Sequence, residues 1–180
     1  MFSGYSAGAS ATLMAMANDR AIPLRCRVAL GAAAAAAAHD HLALRRGKAA
    51  KKMADLSETC SLVEIVARGD LSTVDWGYLC SLADVAVDAA GRIKDPVERG
   101  ALDAIGAAAY AATSYMEWAR SSERDRDRRN LEAQIRHNVR RAVRGASGIV
   151  GAAARLHAVE ATLADAANEG NLSDDAPAPT

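Results

Sequence analysis

The sequence predicts an all-α protein, a mostly antiparallel bundle of four to six helices packed through alanine. Apolar residues recur at spacings of three and four over long stretches, the period of a helix face. Alanine, which has the best intrinsic helix propensity, fills those stretches, including an unbroken run from Ala32 to Ala38. Pro23, Pro96 and Gly69 stand where helices would start or stop. A chain of 180 residues is long enough for one domain with its own core, without disulfides or metals to hold it together.

Residues 1–19 mix Gly, Ser, Ala and Met without a sustained period and read as a flexible N-terminal arm. The alternative is an arm that docks Phe2, Tyr5, Met14 and Met16 on a neighbour. The single helical domain is expected over 20–169. Pro23 disfavours helical geometry at Ile22 and can itself begin a helix, which would run to Arg46 with Gly47 as a break. A second helix is expected over Lys48–Arg68, with Ala49, Met53, Leu56, Cys60 and Val63 on its apolar line; Arg68 and Gly69 form its stop. Ser72, with Asp75 three residues on, makes a capping box for a third helix from Thr73 to about Ile93, with Tyr78 on its stripe.

The stretch Asp95–Ala119 is the centre of the pattern. Asp95 is a good N-cap, Pro96 sits at N1 where its missing N–H costs nothing, and Glu98 at N3 can reach back to the Asp95 amide. Val97, Ala101, Ile105, Ala108, Ala112, Tyr115 and Ala119 then form one face. Alanines bury little area each, so this helix should lie mid-bundle, with its partners supplying Leu and Val. Replacing Ile105 by Asp is the most damaging single change the sequence offers, since it buries an unpaired charge.

The polar run Arg120–Arg129 reads as a connection, with Ser121 or Ser122 capping the next helix. From Leu131 through Ile135, Val139, Ala142, Ala146 and Ile149 to Leu163 the stripe continues for more than thirty residues, so 120–168 holds one helix or two. Gly145, Gly148 and Gly151 interrupt it. Either two backbones touch there or the helix breaks, because glycine costs about 1 kcal/mol per helical position relative to alanine. The tail 170–180 is acidic, contains proline and is expected to be disordered.

The formal net charge is zero, which gives no global pull toward nucleic acid or an anionic membrane. The charge is nevertheless laid out in blocks. Eight basic and two acidic residues precede position 53, four and eleven occupy 53–119, nine and four fall in 120–144, and one and five follow. Such alternation lets neighbouring helices pair opposite faces, within the fold or across a homo-oligomer interface. Three cysteines without metal-ligand spacing argue for buried thiols in a reducing, cytoplasmic setting. The N-terminus lacks the basic and apolar regions of a secretory signal, and no apolar run approaches the roughly 20 residues of a membrane span.

Site chemistry is sparse. His39-Asp40-His41 is the most site-like cluster, but side chains two apart on a helix diverge, so it cannot by itself hold a metal. His137 and His157 have no sequence-adjacent nucleophile or acid. Asp84 and Asp88, one turn apart, could act as paired carboxylates. The spacings Asp88 to Arg92, Arg99 to Asp103 and Glu132 to Arg136 instead point to ordinary helix-surface ion pairs. The Glu-x-x-His of di-iron bundles, a phosphate-binding glycine loop and His-Glu-x-x-His are all absent from the sequence. No cofactor is therefore expected.

The function expected on these grounds is non-enzymatic: an adaptor, scaffold or inhibitor that binds a protein partner through a helical surface and self-associates. Trp76, Tyr115, Trp118, Arg136, Arg140, Arg141 and Arg144 are the candidate partner-binding residues, since aromatic and arginine side chains concentrate binding energy. Core packing competes for Tyr115 and Trp118. Nucleic-acid binding through the arginine-rich 124–144 stretch is the first alternative; interleaved acids and a single phenylalanine weigh against it. An enzyme with a site assembled from distant His and Asp/Glu residues is the second.

Overall fold

A computed structural model describes residues 22–45, 51–122, 126–149, 155–156, 158–159 and 161–162. The expected arm 1–19, the tail 170–180, the start of the second helix at 48–50, and Gly47, Gly151 and His157 lie outside the described residues. Within them the chain is helical and without strands. Among the described residues five helices are formed: α1 Leu24–Ala43, α2 Met53–Ala67, α3 Trp76–Gly91, α4 Pro96–Arg120 and α5 Arg128–Ala146. No described helix is long and apolar enough to cross a membrane.

Helix α4 is the centre and packs on all four others. Its start is the one the local chemistry dictates: the Asp95 carboxylate accepts from the Val97 and Glu98 amides at 3.0 and 2.8 Å. Glu98 does not close the capping box; its carboxylate faces Arg45 of the α1 end at 3.6 Å. Alanines 101, 104, 107, 108, 109, 111 and 112 of α4 are fully buried. The surrounding helices supply the larger groups, among them Leu30 of α1, Leu56 and Val63 of α2, Leu79 of α3 and Ile135 and Val139 of α5. Small side chains on one partner and large ones on the other give the interdigitation that dense interiors require.

Contacts across the bundle fix the helix directions. Tyr110 of α4 donates to Asp84 of α3, while a β-carbon placed on Gly106 would strike Val87 Cγ2 at 2.6 Å; rising numbers on one helix meet falling numbers on the other. On the other side Gly100 faces Gly145, Asp103 faces Arg141, and Trp118 faces Glu132. Helix α4 is thus antiparallel to both α3 and α5. Arg25 donates to the carbonyls of Ala67 and Arg68, and Cys60 Sγ donates to the Ala35 carbonyl, so α1 and α2 are antiparallel as well.

Helix α2 ends as its glycine predicts. Gly69 takes a φ of 90°, its amide donates to the Val66 carbonyl at 2.9 Å, and the Asp70 amide reaches the Ile65 carbonyl. This is the paired closure that a left-handed residue permits. Other local expectations change. Helix α3 starts at Trp76 rather than Thr73, with Asp75 as its cap, accepting from the Tyr78 amide at 2.6 Å. Ser72 instead donates to Asp70. The reason is Val74, which is inserted into the core before the helix begins. Tyr78 leaves the apolar stripe; it is exposed, and its hydroxyl donates to Glu58 at 2.7 Å.

Helix α4 ends at Arg120 and α5 begins at Arg128, so the helical run is interrupted between them as expected, but neither Ser121 nor Ser122 caps α5. Ser121 closes the end of α4, and its carbonyl accepts from Arg128 at 2.8 Å. Helix α5 stops at Ala146, so the long stripe is not one continuous helix. Both readings of the glycines hold at different positions. Gly145 lets α5 meet α4 backbone to backbone, and Gly148 lies in the turn that follows, where a β-carbon would meet nothing within 4 Å.

Candidate functional site

The antiparallel packing brings the C-terminal ends of α3 and α5 to the same end of the bundle as the start of α4. There they enclose a cleft of about 880 Å³. Its walls are unlike in character. Val87 and Ala90 of α3 and Val97 of α4 make an apolar side, while Arg99 of α4 and Arg140, Arg141 and Arg144 of α5 make a cationic one, with His137 beside them. Among the lining residues the only carboxylate is Asp103.

The arginines are held to different degrees. Arg141 makes a two-pronged pair with Asp103, its Nε 2.8 Å from Oδ2 and its Nη2 on Oδ1. The hydrogen bonds that Arg141 donates to Asp103 raise its pKa, outweighing its partial burial, so this guanidinium is a fixed cation. Arg99 donates Nε to the Ile93 carbonyl at 3.0 Å and Nη2 to the Lys94 carbonyl at 3.1 Å, which ties it to the α3–α4 connection. Arg140 donates Nε to the Arg136 carbonyl at 3.2 Å, one turn back on its own helix. Arg144 is exposed and has no partner among the described residues. One carboxylate against four guanidinium groups leaves the cleft strongly positive.

Glycine makes this arrangement possible. A β-carbon on Gly100 would stand 2.9 Å from the Gly145 carbonyl oxygen, and one on Gly145 would stand 3.1 Å from Ala104 Cβ. With no side chain at either position, α5 seats directly on the first turns of α4. That seating sets the register in which Arg141 meets Asp103 rather than solvent.

Of the residues singled out from the sequence, Arg140, Arg141 and Arg144 are brought together in the cleft. Arg136 is not among its lining; it pairs with Glu132 at 2.9 Å. Trp76 is exposed, but at the first turn of α3, the far end of that helix from the cleft. Tyr115 and Trp118 are buried in the core and offer no surface to a partner. Their rings stack with centroids 5.7 Å apart, Trp118 Nε1 donates to Glu132 at 3.3 Å, and the Arg128 guanidinium carbon sits 4.1 Å from the Trp118 ring centroid. They clamp the end of α4 to the start of α5.

Arg99 and Asp103 were expected to pair with each other along α4. The structure separates them: Asp103 turns to Arg141, whose planar fork matches both of its oxygens, and Arg99 caps backbone carbonyls. The signal in the sequence was the glycine pair Gly100 and Gly145, because backbone contact between α4 and α5 dictates which residues then face each other.

Most of the other groups singled out from the sequence are engaged elsewhere, whereas His41 Nε2 is buried without a hydrogen-bond partner among the described residues. Asp84 is held by Tyr110 and Asp88 by Arg92 at 3.5 Å, so the two carboxylates do not form a working pair. Asp40 pairs with Arg155 and lies 3.7 Å from His39, beside a second groove of about 490 Å³ between α1 and α2. No three His, Cys, Asp or Glu side chains converge among the described residues. Burial, reinforced by Asp40 and Glu64, pushes the Cys60 thiol up to about 12, which keeps it protonated and unreactive.

No protein-family model, curated protein or solved structure matches the chain.

Proposed function

We propose that the chain is a non-enzymatic helical interaction protein and that the arginine cleft is its partner-binding surface, engaged by an acidic segment of another protein. One observation carries the reading: four arginines from two helices line a single cleft that contributes one carboxylate of its own. Like charges held close together repel one another, so such a cluster is favourable only beside solvent or an anionic partner. The apolar wall of Val87, Ala90 and Val97 gives such a partner area to bury, which charge alone would not supply. A cytoplasmic setting, expected from the odd number of cysteines, and self-association belong to the same proposal. Sedimentation of the purified chain tests the latter.

A nucleic-acid backbone is the competing anion. The cleft favours a protein instead because no Phe, Tyr or Trp lines it, so it lacks the large aromatic platforms on which successive bases stack.

The test is recovery of the chain from its own cells, with and without nuclease, alongside an Arg140→Glu/Arg144→Glu variant whose helical content is checked by circular dichroism. A stoichiometric protein partner that survives nuclease and is lost from the folded variant is the expected result. Retention of the same partner by the variant overturns the reading, as does a nucleic acid released by nuclease.

A further inference from the structure

We infer that the anionic group taken by this cleft is a phosphomonoester, carried on a serine or threonine of the partner protein. The inference rests on the cleft being the partner surface and names the chemistry it recognises. It begins from the donors that remain after internal hydrogen bonds are made. A guanidinium has five N–H groups. Arg141 spends Nε and Nη2 on Asp103, and Arg99 spends Nε and Nη2 on two carbonyls, so each is fixed while its Nη1 stays without a partner among the described residues. Arg140 spends only Nε and keeps both terminal nitrogens. Arg144 keeps all of its donors.

Charge and valence then separate the candidate anions. With Asp103 offsetting one arginine, three cationic charges remain on one cleft. A carboxylate brings a single negative charge and two oxygens, enough for one guanidinium. A phosphomonoester brings roughly 1.5 to 2 negative charges at neutral pH and three acceptor oxygens, enough to engage several arginines at once. Fixing two of the guanidiniums in advance lowers the ordering cost of binding, the usual benefit of preorganisation. Among the described residues the mouth is open as well: a β-carbon at Gly91 or Gly148 would meet nothing within 4 Å, so both positions leave room for a chain to enter.

The apolar wall distinguishes the source of the phosphate. Val87, Ala90 and Val97 lie in the same cleft as the arginines. Inorganic phosphate has no apolar part to place there, whereas the residues flanking a phosphorylated side chain do.

The experiment measures binding of the full chain to three degenerate peptide libraries that differ only at a fixed central position: phosphoserine, serine or glutamate. Inorganic phosphate serves as competitor. The expected result is binding of the phosphoserine library at least about tenfold tighter than the glutamate library, with a loss of about tenfold or more in the Arg140→Glu/Arg144→Glu variant. Equal binding of the phosphoserine and glutamate libraries, both lost in the variant, overturns the phosphate assignment and leaves the acidic-partner reading standing. Failure of every library to bind the wild-type chain overturns the assignment too, and the acidic-partner reading is then judged by the recovery experiment alone. Inorganic phosphate binding as tightly as the phosphopeptides assigns the cleft to a free phosphate compound and overturns the protein source.

Discussion

Gly100 and Gly145 face each other across the α4–α5 crossing, and a β-carbon on Gly100 would lie 2.9 Å from the Gly145 carbonyl oxygen. The obstacle is backbone rather than the end of a flexible side chain, so it cannot swing away. Gly100→Ala and Gly145→Ala should each destabilise the fold by about 1–3 kcal/mol, although alanine is the better helix former. Gly148→Ala, which meets open space, serves as the control and should stay within about 0.5 kcal/mol of wild type. Chemical denaturation of the three variants checks the ordering.

Asp103 and Arg141 should be energetically coupled. Both are partly exposed, with side-chain accessibilities of 26% and 35%, so solvent screens the pair and a coupling of about 1 kcal/mol is expected from a double-mutant cycle with alanine at each position. Arg99 and Asp103, one turn apart on α4, should show none, since the structure gives each a different partner.

Alkaline pH should weaken the fold. Burial raises the Cys60 thiol from 9.0 to about 12, and burial together with the Asp84 hydrogen bond raises the Tyr110 hydroxyl from 10.0 to about 12. Across those intervals the folded chain keeps protons that the unfolded chain has lost. The stabilisation is therefore complete below pH 9 and declines as pH rises toward 12. Urea midpoints measured at steps between about pH 8 and 11 should fall steadily, and Tyr110→Phe with Cys60→Ala should flatten the decline.

The two tryptophans should report different surroundings. Trp118 is 5% exposed and Trp76 is 39% exposed. Acrylamide should quench the Trp76 emission and leave a blue-shifted component, and Trp76→Phe should leave that component alone. A fully quenched variant would mean that Trp118 is not in the core.

Ile105 is completely buried at the middle of α4. Ile105→Asp places an uncompensated charge there at a cost above about 4 kcal/mol. That approaches the whole stability of a domain this size, so the variant should show no cooperative unfolding transition.

The central helix was legible because its start is local chemistry: Asp95, Pro96 and the amides of Val97 and Glu98 lie within four positions of one another. Its alanine face likewise announced close packing, since such a surface buries enough area only when neighbours come near. The beginning of α3 was not legible in the same way. Ser72 and Asp75 are both competent caps, and burial of Val74 by distant helices decided between them. The arginines of α5 were visible as a basic run, yet their division into a core clamp at Arg128, a surface pair at Arg136 and a cleft from Arg140 onward depends on which helix lies opposite. Arg99 joins that cleft from about forty positions away, through a register that two glycines set.

The alanine interior has a thermal consequence. A buried methyl group has no rotamers to freeze, so folding this core costs little side-chain entropy, and it also removes less apolar surface from water than a core of leucines would. Heat capacity changes on unfolding follow that apolar surface. Calorimetry should therefore find a change per residue below the usual 12–15 cal/mol/K and a broad, shallow stability curve. Such a chain would hold nearly the same folded population in the cold as at the temperature where it is most stable.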